Sequence, residues 1–131
     1  MILGKCNCGE VSFQITSQIK DIYFCHCSIC RRNTGSNGIA VAVVNNEDFR
    51  WLKGENHIKT WTKPNHDWQT SFCTDCGSSL PGKNDDFRVY IPAGLLPNEK
   101  LTVTHHIWVG SKANWDEIGE DGVKHLEAFT S

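Results

Sequence analysis

The sequence lacks the features that mark proteins of membranes, nucleic acids or the secretory route. None of its 131 residues belongs to an apolar run near the roughly 20 residues that a membrane-spanning helix needs. The net charge is only −2 and no basic block occurs, so we expect no nucleic-acid partner. The first residues also lack the apolar segment of a signal peptide, which predicts a cytoplasmic protein without a membrane partner.

Repeats, linkers and low-complexity segments are also missing, so we expect a single domain over residues 1–131. A chain of this length buries only a modest core. Five tryptophans add large apolar side chains, and bound metal could stabilise what a small core leaves loose.

Cysteine, in contrast, is abundant. The odd total of seven and the Cys-x-Cys spacing, which closes rings too small for relaxed disulfides, both disfavour disulfide pairing. In a reducing compartment such cysteines are typical of metal sites. They form three groups: Cys6 with Cys8, Cys25 with Cys27 and Cys30, and Cys73 with Cys76.

The first and last groups are each a pair followed by glycine, at Gly9 and Gly77. A turn that wraps its backbone around a metal needs positive φ angles, which glycine adopts readily. Together the two pairs supply four sulfurs, enough for a closed tetrahedral zinc site.

The middle group places three thiols within six residues and is called the claw below. On a strand, alternation would put Cys25 and Cys27 on one face and His26 on the other. A turn at Ser28-Ile29 would fold Cys30 back beside them. Three protein ligands with an open position are typical of a catalytic zinc site.

Two other readings of these cysteines stay open. An iron–sulfur cluster also takes four thiolates. The claw could instead hold a second structural zinc, with a distant histidine as its fourth ligand. The candidates are His57, His66, His105, His106 and His125.

Short segments with the two-residue period of strands recur along the chain and predict a mainly β fold with very little helix. In one, Val11, Phe13 and Ile15 share a face. In another, Phe87 to Ile91, the odd-numbered residues share a face.

Segments 49–52 and 57–62 look like two strands of a hairpin. Residues 31–34 favour a helical turn that ends at Gly35. From Gly110 we expect an irregular tail, with a turn of helix at 114–118.

Four motifs occur in order along the chain: Gly4-x-Cys6-x-Cys8-Gly9, Cys25-His26-Cys27-x-x-Cys30-Arg31, Phe72-Cys73-x-x-Cys76-Gly77 and His106-Ile107-Trp108-Val109-x-Ser111-Lys112-x-x-Trp115. Together they resemble a known family, the glutathione-dependent formaldehyde-activating enzymes (the GFA domain, shared with centromere protein V). The resemblance implies a small β-tent of short antiparallel strands, stabilised by zinc. It implies a structural zinc, a second and catalytic zinc, and a carbon–sulfur lyase that acts on S-hydroxymethylglutathione. The structural zinc would lie on Cys6, Cys8, Cys73 and Cys76, and the catalytic zinc on Cys25, Cys27 and Cys30.

The chemistry of the claw agrees with that implication. Three thiolates leave a bound zinc at a formal charge of −1, a poor generator of hydroxide but a suitable partner for another sulfur. Arg31 and Arg32 could receive a substrate carboxylate, or be ordinary solvated cations. His106 is a candidate acid–base group, or a surface strand histidine, and His26 is expected to pack or hydrogen-bond away from the claw.

We therefore expect a two-zinc lyase that acts on a thiol adduct of a small aldehyde, with a thiol such as glutathione as its partner. The rival from another class is a non-enzymatic zinc module that binds a protein. Methionine-sulfoxide reduction needs a free nucleophilic cysteine. All seven cysteines are assigned as ligands, which disfavours that reaction.

Overall fold

A computed structural model describes residues 1–97 and 100–128, and it confirms a mainly β fold. The described part of the chain contains one α-helix, and none of its helices is long and apolar enough to cross a membrane. The strands are β1 (Ile2–Lys5), β2 (Ser12–Ile15), β3 (Ile22–Cys25), β4 (Ile39–Asn45), β5 (Phe49–Lys53), β6 (Ile58–Thr62), β7 (Gln69–Cys73), β8 (Ser79–Leu80), β9 (Gly82–Lys83), β10 (Arg88–Pro92), β11 (Val103–Ile107) and β12 (Val123–Lys124). The α-helix, α1, is Ser28–Thr34, and 3₁₀ turns cover Asn46–Asp48, Glu55–His57, Ala93–Leu95 and Val109–Ser111.

The chain groups into two compact units, and the prediction of a single domain stays a prediction. The first unit consists of Met1–Ile19 and the described part of Val43–Glu99. It contains two three-stranded antiparallel sheets, in the orders β1-β2-β5 and β6-β7-β8, and the antiparallel pair β9-β10.

The core of the first unit confirms the pattern predicted for β2. Val11, Phe13 and Ile15 are all fully buried. The ring of Phe13 lies 5.6 Å from Phe49 and 6.1 Å from Trp51, the latter edge-on. These are the separations and orientations that aromatic pairs prefer, so Phe13 is a main anchor of this core.

The second unit consists of Lys20–Ala42 and the described part of Lys100–Ser131. Its strands follow the order β12-β11-β3-β4. β11 runs parallel to both β12 and β3, whereas β3 and β4 are antiparallel. The expected pattern of antiparallel strands therefore holds in the first unit but not along β11. Parallel neighbours need a long connection, and the chain between β3 and β11 provides it.

The hairpin predicted between β5 and β6 is wrong. β5 pairs with β2, and β6 pairs with β7. Between them Gly54 adopts a left-handed conformation and leads into the 3₁₀ turn Glu55–His57. That turn directs the chain into a different sheet, which alternation alone does not reveal.

The alternation predicted for β10 is only partly correct. Ile91 is buried, but Phe87, which was expected on the same face, precedes the strand and is 78% exposed. Tyr90, on the other face, is buried. Two-sided burial of this strand removes the simple alternation on which the prediction depended.

The helix and the C-terminal tail differ in part from the prediction. α1 starts at Ser28, so the turn expected at Ser28-Ile29 is the first turn of the helix. Its end at Gly35 is confirmed, with a left-handed φ of 67°. The helical turn expected at 114–118 is wrong, because only a hydrogen-bonded turn closes there, from the Asp116 N–H to the Ala113 carbonyl at 3.1 Å. The strands β1 and β12 were not predicted.

We predict that Phe13→Ala lowers the free energy of unfolding by about 3–5 kcal/mol, because it removes a buried ring and leaves a cavity. Phe87→Ala is the matched control and should change stability by less than about 0.5 kcal/mol, since Phe87 is exposed. Urea unfolding of zinc-loaded protein measures both. Equal losses in the two variants would contradict this assignment of the core.

Candidate metal centres

Four cysteines from two distant segments meet in the first unit. The sulfurs of Cys6, Cys8, Cys73 and Cys76 all lie within 4.8 Å of one another. The Sγ atoms of Cys6 and Cys8 are 3.6 Å apart, and those of Cys8 and Cys73 are 3.8 Å apart. Tetrahedral zinc with Zn–S bonds of about 2.3 Å places its sulfurs about 3.8 Å apart. The geometry of this cluster therefore fits zinc.

Each half of the cluster is a tight turn that closes on a glycine. The Gly9 N–H donates to the Cys6 carbonyl at 3.1 Å, and the Gly77 N–H donates to the Cys73 carbonyl at 2.8 Å. The φ angles of Gly9 and Gly77 are 81° and 78°, in the left-handed region. The requirement for glycine after each pair, inferred from the sequence, is confirmed.

Two of the four cysteines belong to the apolar core, whereas Cys76 is partly buried and Cys8 is exposed. Cys6 and Cys73 are 1% and 0% exposed and pack with Val11 and Leu80. Trp51 and Ile58 lie against the same group. Loss of a metal here would leave mutually repelling thiolates, or unpartnered thiols, inside the core. That environment suits a structural site better than one that exchanges ligands.

Hydrogen bonds tie the two turns together. The Asn7 N–H donates to Ser78 Oγ at 2.9 Å, which links the first turn to the second. Ser78 Oγ also lies 3.2 Å from Cys76 Sγ, and this bond lowers the pKa of Cys76 to about 6. The Val11 N–H donates to Cys6 Sγ at 3.4 Å. Such bonds favour thiolates, which are the metal-binding form of cysteine.

A histidine that the sequence offered as a ligand braces the second turn instead. His57 Nδ1 lies 2.6 Å from a carboxylate oxygen of Asp75, which sits between Cys73 and Cys76. The Thr74 N–H donates to the His57 carbonyl at 2.8 Å. Asp75 was missed as a contributor to this site, and its position inside a Cys-x-x-Cys motif was the available signal.

The claw is built where β3 passes into α1. Cys25 ends the strand, and Cys27 is the N-cap residue of the helix, with Sγ accepting from the Cys30 N–H at 3.3 Å. Cys30 is buried in the first turn. The three Sγ atoms all lie within 4.8 Å of one another. The first turn of α1 therefore brings Cys30 beside Cys25 and Cys27, a role that the sequence analysis gave to a simple turn.

The electrostatics of the claw favour a bound cation. Hydrogen bonds from the Cys25 and Cys30 thiols lower the pKa of Cys27 to about 2, aided by the backbone N–H groups of Cys30 and Ile29. The contact with Cys27 raises the pKa of Cys25, and the contacts with Cys25 and Cys27 raise the pKa of Cys30. One thiolate thus forms easily, but the other two are suppressed by their neighbours. A soft divalent cation would remove that repulsion and hold all three as thiolates.

No histidine joins the claw within the described residues. The metal-competent group there contains three thiols alone. His66 lies near Asp67, His105 contacts His125, and His106 contacts His26. The alternative of a histidine as fourth ligand therefore finds no geometric support. None of the seven cysteines, all of which lie in the described residues, forms a disulfide bond.

The two arginines after the claw differ in their surroundings. Arg31 is half-buried, and its Nε atom is buried without a hydrogen-bond partner in the described part of the chain. Arg32 is exposed. Arg31 therefore differs from an ordinary solvated cation, whereas Arg32 resembles one.

His106 is a buried residue of β11, only 6% exposed, and both of its ring nitrogens have partners. Nδ1 lies 2.8 Å from His26 Nε2, and Nε2 lies 3.2 Å from Asp121 Oδ1. His26 is 1% exposed, which matches the hydrogen-bonding role expected for it. Burial lowers the pKa of His26, and so does His106, while Asp116 opposes the shift. The sequence analysis did not identify Asp116 and Asp121, because neither aspartate belongs to a recognisable metal-binding or catalytic motif.

Comparison with known proteins agrees with this geometry. A family model described as "Glutathione-dependent formaldehyde-activating enzyme" matches residues 1–111. A relative from Halomonas elongata, 29% identical over 134 residues, is named "Putative glutathione-dependent formaldehyde-activating enzyme". The match covers 90% of this chain and 81% of that relative. The chain therefore belongs to the glutathione-dependent formaldehyde-activating enzyme family.

A solved structure supports the fold. The crystal structure of a Rhodobacter sphaeroides protein superposes with a TM-score of 0.61 at 20% sequence identity. The superposition covers 75% of this chain and 90% of that one.

We predict different consequences for the loss of each cluster. Cys73→Ser should abolish the cooperative fold or most soluble yield, because metal affinity at a closed site is folding free energy, about 10 kcal/mol or more in zinc peptides. Cys27→Ser should keep the fold, and its zinc content should fall from two per chain to one. Circular dichroism and metal analysis of reduced, chelator-free protein measure both effects. The reverse pattern would exchange the roles of the two sites, and iron in place of zinc would contradict the metal assignment.

Proposed function

We propose that the protein is a zinc-dependent carbon–sulfur lyase that acts on a thiol adduct of a small aldehyde, of the S-hydroxymethylglutathione type. The observation that carries the proposal is the claw, three convergent sulfurs without a fourth protein ligand in the described residues. Membership of the family and the name of the Halomonas elongata relative support glutathione as the thiol and formaldehyde as the aldehyde.

Two zinc ions per chain fit the two clusters. The first would be held by Cys6, Cys8, Cys73 and Cys76 as a closed site, and the second by Cys25, Cys27 and Cys30. When bound at the claw, zinc would supply a soft electrophilic centre that binds the sulfur of a thiol as thiolate.

The reaction itself is a simple exchange of bonds. In the lyase direction, the carbon–sulfur bond of the hydroxymethyl adduct breaks and its electron pair stays on sulfur. The hydroxyl group loses its proton as the carbon–oxygen double bond of the aldehyde forms. In the reverse direction the thiolate adds to the carbonyl carbon. The protein gains rate mainly by orienting the two partners.

Arg31 and Arg32 are proposed to orient the thiol. Glutathione carries two carboxylates, and guanidinium groups bind carboxylates through paired, charge-assisted hydrogen bonds. Arg31 directly follows Cys30 in α1, and its Nε atom is without a partner in the described residues. The half-buried position of Arg31 makes it the stronger candidate of the two.

A second candidate function is a zinc module that binds a protein partner. Exposed apolar side chains of the second unit favour it: Trp115, Val123 and Leu126 are 71%, 56% and 75% exposed. Apolar side chains in such number can mark an interaction surface. On this account the claw would be structural and indifferent to added thiols.

We predict that glutathione binds the claw through sulfur. In protein substituted with cobalt, an added cobalt–sulfur bond should change the charge-transfer and ligand-field absorption. S-methylglutathione should leave the spectrum unchanged, because it has no ionisable thiol. Arg31→Ala should weaken glutathione binding by about 1–3 kcal/mol, the range for a lost hydrogen bond to a charged group.

Arg50→Ala provides the matched control, since Arg50 is an exposed arginine of β5 in the other unit. It should leave glutathione binding unchanged. A cobalt spectrum that does not respond to millimolar glutathione would refute the lyase proposal and favour the binding module.

A further inference from the structure

A chain of hydrogen-bonded side chains leads from the surface to the residue between two claw cysteines. Asp121 is 52% exposed at its side chain, and its Oδ1 lies 3.2 Å from His106 Nε2. His106 Nδ1 lies 2.8 Å from His26 Nε2. His26 stands between Cys25 and Cys27 in the sequence. The buried imidazole pair is thus connected to the claw by single peptide bonds.

The direction of these hydrogen bonds follows from their chemistry. An ionised carboxylate only accepts, so His106 Nε2 must be the atom that carries the proton and donates to Asp121. The Nδ1 atom of a neutral His106 then accepts, and His26 Nε2 donates to it. In a neutral His26 this leaves Nδ1 without a proton.

A second carboxylate lies near the other end of the imidazole pair. His26 Nδ1 is buried and has no side-chain hydrogen-bond partner in the described residues. Its near neighbour is Asp116 Oδ2 at 3.6 Å, another acceptor. Asp116 instead receives the side-chain amide of Asn37 at 3.4 Å. Burial and His106 lower the pKa of His26, against Asp116 and a hydrogen bond with the Asn37 backbone, which raise it. Asp116 lies beyond hydrogen-bond distance of His26 Nδ1, so the shorter contact of Asp121 with His106 sets the direction of the hydrogen bonds.

The backbone and the aromatic neighbours fix the same residue. The His26 N–H donates to the Ile107 carbonyl at 3.0 Å, next to His106 in β11. The rings of His26 and His106 lie 5.1 Å apart, stacked at 26°, and Phe24 packs 4.6 Å from His26. Both the backbone and the ring of His26 therefore have partners outside the claw. These contacts restrain the conformation of the chain between Cys25 and Cys27.

We infer that His106 is a positioning residue for the claw, and that Asp121 sets the tautomer in which it acts. The inference rests on the proposed metal-binding role of the claw. Residues that orient metal ligands from outside the coordination sphere typically change metal affinity about 10–100-fold when lost.

The test compares two substitutions of His106. His106→Leu fills the space without a hydrogen-bonding atom, whereas His106→Asn keeps a polar atom close to the position of Nδ1. Titration of the claw with zinc against a chelator should show about 10–100-fold weaker affinity in His106→Leu. His106→Asn should retain most of the wild-type affinity. The four-cysteine site of the same molecule is the internal control and should not change.

A second measurement does not depend on the folding of those variants. Nitrogen NMR of the zinc-loaded protein should show His106 protonated at Nε2 and His26 protonated at Nε2. Asp121→Ala should alter the His106 tautomer populations and weaken claw affinity, whereas Glu120→Ala, an adjacent exposed acid, should do neither. Wild-type affinity in His106→Leu, no rescue by His106→Asn, or an Nδ1 proton on His26 would each overturn the inference.

Failure of the proposed function would look different. A claw that binds zinc normally but ignores glutathione would refute the lyase proposal. The zinc affinities and tautomers would still decide the role of His106.

Discussion

The convergence of Cys6 and Cys8 with Cys73 and Cys76 is the contact on which the first unit depends. Cys8 and Cys73 are 65 positions apart in the sequence, yet their sulfurs lie 3.8 Å apart. Cys6 and Cys73 are buried in the apolar core, Cys76 is partly buried and Cys8 is exposed. The four thiols repel one another once ionised, so their approach is favourable only around a cation. The burial of Val11 and Leu80 against Cys6 and Cys73 then follows from the same closure. A single soft cation would therefore hold the four sulfurs together and, with them, the core residues that pack against Cys6 and Cys73.

The claw follows a different logic, because its three sulfurs come from one short segment. A strand end and the first turn of a helix bring Cys25, Cys27 and Cys30 together without any distant ligand. Local construction leaves one side of the group without a protein ligand in the described residues. His26, which lies between two of these cysteines, contacts His106 of β11, and β3 pairs with β11. Closure by distant segments suits a structural site, and local construction with external support suits one that binds a substrate.

The sequence was sufficient for the features that depend on local spacing. The division of the cysteines into four and three, the glycines at 9 and 77, and the buried face of β2 all follow from short-range rules and were confirmed in geometry. Features set by tertiary contacts were not predictable. The sequence predicted a hairpin of β5 and β6, but β5 pairs with β2 and β6 pairs with β7. Likewise, Asp121 belongs to no motif and matters only because β12 and its flanking residues bring it to His106.

The central claim is that the two clusters divide the roles of structure and thiol binding, and cadmium NMR tests it most directly. Protein loaded with a spin-active cadmium isotope should give two signals, one for each cluster, since cadmium takes the same thiolate ligands as zinc. Glutathione should move one signal and leave the other in place, and Cys27→Ser should remove the signal that moves. A single signal, or two signals that both ignore glutathione, would contradict the account.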